Sequence, residues 1–464
     1  MNTIIIIIQI LASIVALLAA LLSVLLFIQL HWPAPALWFV KLYVSALSRV
    51  FALVGLLSMV LGLMTDSVFI GVTGMYVFLI FLAHVIKVTR APNASSGFDE
   101  AFGMEWEKRI KPEQKKYFLP GRTILKLPSV PEPRKEENNS FSTIPDTTRK
   151  LLCDVWLPSL TVRPSGLAFI YLHGSAWYML DKDLGTRPLF RHLTAQGHVI
   201  MDVAYRLAPE TDMMGMIHDV KRAIVWMKEH SQTYGVNLHR IVVGGGSAGA
   251  HLAMMAAYTA LDPQFTPNDL EGKDISVSAV VSFYGPGDLE AMYYHTRQHL
   301  TTRSTPDRPK KPVPTQMPAW MVKSMGSEYH RLGFDKGFVN AGAIAPLMGG
   351  HPDECPEHYA LYSPLMHVHA HCPPTLLIHG AHDIMAPVKS TCYLYDRLVK
   401  EKVPAVLHIL PQTDHAFDLQ LPAISPSAHN AWYDVERFLA LHASHEEHPY
   451  HIIPKEEYHV HDEY

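Results

Sequence analysis

The chain has 464 residues, with 39 Lys and Arg against 43 Asp and Glu, for a formal charge of −4 at pH 7. That length calls for more than one structural region, and so even a balance offers no basic face, which excludes nucleic acid as a partner. Hydrophobic residues make up 48% of the chain, and the excess is concentrated in residues 1–88.

Ile4 to Leu30 carries no charged side chain and exceeds the roughly 20 residues that cross a bilayer core. It lacks the basic leader and short apolar core of a cleaved signal peptide. A second apolar stretch runs from Tyr43 to Met64, with Arg49 near its start, and a third from Val68 to Ile86, closed by Lys87 and Arg90. Three such stretches in succession predict an all-α transmembrane region over residues 1–88 with about three spans. The rival arrangement is two spans plus a helix lying in the interface. Lys41 and Arg49 fall between the first two spans, the Thr65-Asp66-Ser67 link has no cation, and Lys87, Arg90, Lys108, Arg109 and Lys111 follow the third. The positive-inside rule then predicts a multi-pass integral membrane protein with its amino terminus outside and everything after Ile86 in the cytoplasm. The lipid bilayer is thereby an expected partner. The sequon Asn93-Ala94-Ser95 is left unused by that topology.

Residues 89–150 are polar, with Pro, Lys and Glu clustered between Pro131 and Asn139, and read as a solvated juxtamembrane linker and domain entry. From 151 to 442 the pattern changes. Strand-like runs at Leu167–Leu172, His198–Val203, Ile241–Val243, Val277–Phe283, Thr375–His379 and Ala405–Leu410 alternate with helical spacing at Met216–His230, Ala248–Ala260, Val388–Lys400 and Ala428–Leu441. Apolar strands alternating with helices predict an α/β fold with a mostly parallel sheet covered on both faces. Residues 286–362, rich in Pro, Met and aromatics, interrupt the rhythm and read as a cap inserted at the carboxyl edge. Residues 443–464, rich in His and Glu, read as a disordered tail. Four scattered cysteines, Cys153, Cys355, Cys372 and Cys392, fit free thiols rather than a disulfide scaffold.

The run Ile241-Val242-Val243-Gly244-Gly245-Gly246-Ser247-Ala248-Gly249 followed by a helical segment is strand, Gly-x-Ser-x-Gly, helix. A serine on so sharp a turn needs small neighbours two positions away, and the turn aims a helix amino terminus at its hydroxyl. The stretch lacks the Lys-Ser/Thr ending of a phosphate-binding loop. Ser247 is therefore the candidate nucleophile. The strand Phe169–Leu172 runs into His173-Gly174-Ser175-Ala176-Trp177, a loop whose backbone amides can stabilise an oxyanion. Ser175, Ala176 and Ala248 are the expected donors, with His173 and Gly174 shaping the loop. A hydroxyl needs an imidazole to take its proton, and the imidazole needs a carboxylate to hold its tautomer. Among 28 histidines a single one means little. Asp383 and His415, however, each follow a predicted strand and come after Ser247 in the order serine, acid, histidine. Asp414 and Asp418 are the rival acids, and His379 and His382 the rival imidazoles.

Tyr205-Arg206-Leu207-Ala208-Pro209-Glu210, Gly349-Gly350-His351-Pro352 and Tyr362-Ser363-Pro364, together with these features, resemble the hormone-sensitive-lipase-like branch of the α/β-hydrolases. Its feruloyl-esterase-like and prenylcysteine-methylesterase-like relatives share the resemblance. Two positions depart from it: Ser175 and Ala176 replace later glycines of the oxyanion loop, and Gly246 stands where many members carry an acid. The resemblance implies an α/β-hydrolase fold and a serine carboxylic-ester hydrolase acting through an acyl-enzyme, with no cofactor and no metal. An apolar acyl, aryl or lipid-like ester is the expected substrate, held by Trp177, Tyr178 and Trp320 under a cap that also offers Met292, Tyr293, Tyr294, Met321 and Met325. Membership of a small cap core explains those side chains equally well. Amide hydrolysis of the formamidase type and a silent hydrolase homologue serving as a membrane scaffold are the alternatives. His367, His369 and His371 alternate along the chain, but beside Cys372-Pro373-Pro374 they read as a loop entering the acid strand.

Overall fold

The computed structural model describes residues 2–31, 35–183, 185–301 and 344–444. Eight strands form one sheet: β1 (Arg134–Thr143), β2 (Lys150–Leu157), β3 (Ala168–Leu172), β4 (Val199–Ala204), β5 (Ile241–Gly246), β6 (Ala279–Phe283), β7 (Thr375–Gly380) and β8 (Ala405–Leu410). Their order is β1-β2-β4-β3-β5-β6-β7-β8. β1 and β2 pair antiparallel, β2 runs antiparallel to β4, and every later neighbour is parallel. This is the α/β architecture that the alternating apolar runs predict.

The sheet is apolar on both sides because its strands are. Along β3, Ala168, Ile170 and Leu172 face one core with Val243 and Leu252, while Phe169 and Tyr171 face a second with Val242, Phe190 and Trp432. Among the described residues, five longer helices cover the two faces, α5 (Arg187–Thr194), α6 (Met213–Glu229), α7 (Ala248–Tyr258), α9 (Val388–Lys400) and α10 (Pro426–Ser444), while α8 (Leu289–Thr301) begins the insertion; they are numbered after the four amino-terminal helices below. Each large apolar side chain removed from water in these layers contributes about 1.5–3 kcal/mol. Register fixes the working edge. Gly246 pairs with Phe283, Phe283 with Ile378, and Gly380 with Leu410, so the loops after β5, β7 and β8 open along one carboxyl edge.

The segment read as a solvated linker over 89–150 is instead folded onto the domain. β1 lies within it, and Phe98 and Leu119 are buried in the second core. Phe98 stacks on Trp106 with centroids 4.5 Å apart and meets Phe438 of α10 edge-on. The backbone N–H of Leu119 donates to both oxygens of buried Glu436, at 3.0 and 3.1 Å. The polar letters of β1 conceal this, because an edge strand exposed on one side needs few apolar residues.

Four helices precede the sheet domain: α1 (Asn2–Ser23), α2 (Pro35–Ala46), α3 (Ser48–Met64) and α4 (Val68–Val88). The spans Thr3–Leu26 and Val68–Val88 are each long and apolar enough to cross a membrane. The stretch expected as one continuous second span is broken: Leu37–Ala46 and Ser48–Met64 meet at a 69° bend. The bend has a packing cause. Trp38, Phe39 and Leu42 of α2 bury themselves against Ile384 and Met385 beside the sheet edge, which turns α2 away from the line of α3. α3 and α4 meet through a seam of small residues, with Gly55, Ser58 and Gly62 buried against a face of α4 that carries Gly74, so their backbones approach closely.

Candidate functional site

Ser247 sits between β5 and α7 with φ 53° and ψ −121°. Holding a serine there costs about 1–3 kcal/mol, which the surrounding packing must offset. The close fit explains the small residues on either side. A Cβ on Gly245 or on Gly249 would lie 2.1 Å from the carbonyl oxygen of Leu172 at the end of β3. The turn therefore carries the serine at its apex, with α7 starting directly behind it.

The structure brings the three expected side chains together. His415 Nε2 lies 2.9 Å from Ser247 Oγ, and His415 Nδ1 lies 2.7 Å from Asp383 Oδ2. The other carboxylate oxygen of Asp383 accepts the backbone N–H groups of Met385 at 2.8 Å and Ala386 at 2.7 Å. Full burial pushes the Asp383 carboxyl up, but the charge of His415 and hydrogen bonds from His379 and His415 outweigh it and hold the group well below the usual carboxylate range. Asp383 is thus an anion fixed on both edges.

The rivals are occupied elsewhere. Asp414 Oδ1 accepts the N–H groups of Ile384 at 3.0 Å and His415 at 2.8 Å, facing backbone rather than the imidazole ring. Asp418 accepts from the hydroxyl of Tyr284, and burial pushes its carboxyl up to about 6. The Tyr284 ring itself packs against His415, with centroids 4.6 Å apart. His379 is a second imidazole on the acid: its Nε2 is 3.2 Å from Asp383 Oδ2, and its Nδ1 is 2.8 Å from Thr391 Oγ1. His382 turns towards Lys41, 3.3 Å away.

The loop with the expected oxyanion donors lies against the elbow. A Cβ on Gly174 would be 3.4 Å from Ser247 Cβ and 3.2 Å from the carbonyl oxygen of Gly246. Ala176 and Trp177 take φ values of 46° and 64°, so the chain coils tightly just after Gly174. Ala248 is the first residue of α7, where backbone N–H groups have no partner within the helix. Tyr205 holds this loop. Its hydroxyl is 2.6 Å from Ser175 Oγ and donates to the carbonyl of His173 at 2.8 Å, while its ring stacks on His173 at 4.5 Å. The Ser175 hydroxyl also accepts from the N–H of Trp177 at 2.9 Å. Replacing the later glycines has therefore supplied the loop with an internal tie. Nothing in the sequence assigns that task to Tyr205; only its place after β4, the neighbour of β3, points to it.

Trp177 does not line an open pocket. It is 1% exposed, belongs to the main core, and meets His251 edge-on at 5.3 Å. A positive φ at this residue tucks a large apolar side chain inward, where the sequence alone puts it on the pocket wall. Tyr178 is half-buried beside it. Trp320, Met321 and Met325 lie outside the described residues, as do the tail histidines His445, His448, His451, His459 and His461. The start of the insertion is seated over the acid: His295 of α8 reaches the carbonyl of Asp383 at 2.9 Å, and Met292 and Tyr293 are buried. The alternating histidines serve backbone. His367 meets the carbonyl of Leu361 at 2.7 Å and His369 that of Tyr258 at 3.0 Å. Among the described residues no group of three or more His, Cys, Asp or Glu side chains is arranged to hold a metal.

Residues 153–317 match the BD-FAE family, and residues 343–442 match the prolyl oligopeptidase family. The probable carboxylic ester hydrolase LipM of Mycobacterium tuberculosis is 32% identical over 289 residues, covering 62% of this chain and 57% of its own. Esterase LipC of the same organism is 31% identical over 281 residues, covering 60% of each chain. Among solved structures, a truncated carbohydrate esterase from gut microbiota is 20% identical at a TM-score of 0.48, covering 67% of this chain and 97% of its own. The chain thus spans less than two thirds of the length of the two mycobacterial relatives.

Proposed function

We propose that this chain, a member of the α/β-hydrolase superfamily, is a membrane-anchored serine hydrolase of carboxylic esters. One observation carries the reading: a strained serine, a histidine and a doubly anchored carboxylate form an unbroken chain of contacts of 2.9 and 2.7 Å at one sheet edge. The names of the mycobacterial relatives support the ester class.

The chemistry follows from the contacts. As Ser247 Oγ bonds to the ester carbonyl carbon, His415 Nε2 takes the hydroxyl proton, and the Asp383 anion stabilises the imidazolium. The carbonyl electron pair moves to oxygen, where the amides of Ser175, Ala176 and Ala248 and the start of α7 stabilise it. Collapse breaks the bond to the alkoxy group, which leaves as the alcohol with the proton from His415. Water then adds to the acyl-enzyme by the same route, and the carboxylic acid and Ser247 are released. Apolar acyl or aryl esters are the proposed substrates, reaching an enzyme held at a lipid surface.

We infer three crossings, the second being the bent pair, with the sheet domain on the cytoplasmic side. The contacts at the two ends of the helices support this. Gln9 near the start of α1 donates to the carbonyl of Thr65 in the α3–α4 link at 3.3 Å. At the opposite end, Arg49 donates to the carbonyl of Ile424 and Asn430 donates to that of Val88, at 3.0 and 2.7 Å. The chain starts and the cation-free link thus share one end, and the Lys- and Arg-rich segments share the other with the sheet domain.

The test is turnover of p-nitrophenyl esters of graded acyl length by the full chain in detergent. Ser247→Ala is expected to lower kcat on the order of 10⁴-fold or more. A matched amide panel separates esterase from amidase. Absence of Ser247-dependent turnover on either panel refutes the reading and leaves a membrane scaffold. Protease access to the sheet domain in intact vesicles checks its side.

A further inference from the structure

We infer that Lys41, which lies on α2 outside the sheet domain, is a positioning residue for the proposed triad and acts through Asp414. The inference rests on the hydrolase reading above. Lys41 Nζ is 2.9 Å from Asp414 Oδ2, and both side chains are 1% exposed. The ammonium also donates to the carbonyl of Ile28 at 2.9 Å and lies 3.3 Å from His382 Nδ1. A cation from the amino-terminal region is thus enclosed a few residues from both Asp383 and His415.

Asp414 explains the significance of that contact. Its Oδ1 accepts the N–H of Ile384, the residue after the proposed acid, and the N–H of His415, the proposed base. One carboxylate therefore clasps the two loops whose separation sets the 2.7 Å contact between Asp383 and His415. A buried carboxylate keeps its charge only with a counter-charge beside it, and Lys41 is its ion-pair partner among the described residues. Lys41 in turn is held by its helix, because Trp38, Phe39 and Leu42 of α2 pack on Ile384 and Met385. Without the ammonium, Asp414 takes up a proton or turns towards water, and the clasp between the loops slackens. Misplacing a catalytic group by about 1 Å lowers rates about 10²-fold.

The test uses the full chain in detergent, with a p-nitrophenyl ester as probe and melting temperature as the check on folding. Lys41→Met is expected to lower kcat about 10–100-fold while KM stays within about twofold, since substrate binding is untouched. The double variant Lys41→Met with Asp414→Asn keeps an oxygen for both N–H groups and leaves no buried charge unpaired. It is expected to regain about tenfold of the loss, a non-additivity that general loosening of the fold does not produce. Parental kcat in Lys41→Met, a KM rise in place of a kcat fall, or a double variant no better than Lys41→Met overturns the inference. Should Lys41→Met fail to fold, Asp414→Asn alone replaces it, because it strands the ammonium. The same kcat loss is expected, and parental kcat overturns the inference. A parent chain without turnover removes the hydrolase reading and this inference with it, whereas an active parent with an indifferent Lys41→Met removes only this inference.

Discussion

Replacing Asp383 by Asn exchanges one carboxylate oxygen for an NH₂ group, and the structure dictates which way the new amide faces. Oδ1 of Asp383 accepts two backbone N–H groups, from Met385 at 2.8 Å and Ala386 at 2.7 Å. The amide oxygen must stay there, because its NH₂ would face two donors. The NH₂ group then points at His415 Nδ1, 2.7 Å away. His415 can meet a donor only with an unprotonated Nδ1, which moves its proton to Nε2. That nitrogen is 2.9 Å from Ser247 Oγ and no longer accepts the hydroxyl proton. A wrong-tautomer histidine of this kind costs about 10⁴-fold in kcat, or about 5.4 kcal/mol of barrier at 1.36 kcal/mol per decade. Steady-state turnover of a p-nitrophenyl ester measures kcat and KM, and the labelling rate with a fluorophosphonate reports Ser247 reactivity directly. Both rates should fall together while KM holds. A variant within about tenfold of the parent in kcat, with its fold intact, refutes the tautomer argument.

Tyr205→Phe removes the hydroxyl that joins Ser175 Oγ to the carbonyl of His173. The expected result is a loss of about 1–3 kcal/mol in stability and about a tenfold fall in kcat as the donor loop loosens, read from melting and turnover. Asp418→Asn tests a buried carboxyl. Its folded value of about 6 lies above its ordinary 3.8, with burial the main cause. The folded chain therefore holds that proton more tightly than the unfolded one. Stability from this group is full below pH 4, declines as pH rises to about 6, and is lost above it, by about 3 kcal/mol in all. Melting of the parent should fall more steeply than that of Asp418→Asn between pH 4 and 6, and parallel curves refute the assignment.

The parts of this molecule that sequence makes legible are those where one local rule decides. Continuous Val, Ile and Leu runs mark β3 to β8 because a strand buried on both faces admits little else. Gly245 and Gly249 announce the elbow because Leu172 leaves no space for a Cβ there. β1 was hidden because Arg134–Thr143 is an edge strand written mostly in polar letters. The inward turn of Trp177 depends on a backbone angle that no side-chain pattern encodes. Lys41 and Asp414 are 373 positions apart, and only the docking of α2 makes them neighbours. Tyr205 is hidden for a related reason: its partners Ser175 and His173 lie 30 and 32 positions away on an adjacent strand's loop.

The contacts of α2, α3 and α4 with the stretch after β8 bear on how the protein can be handled. Gln412 is bonded by His84 at 3.1 Å, Ile424 by Arg49, and Asn430 by the carbonyls of Val88 and Arg90. Trimming the gene to a fragment that starts after Val88 strips His84, Arg49 and Val88 from these contacts and leaves Ile384 and Met385 without the side chains of α2. The amino-terminal helices and the sheet domain share a buried contact surface, so expression, purification and inhibitor screening belong with those helices still attached.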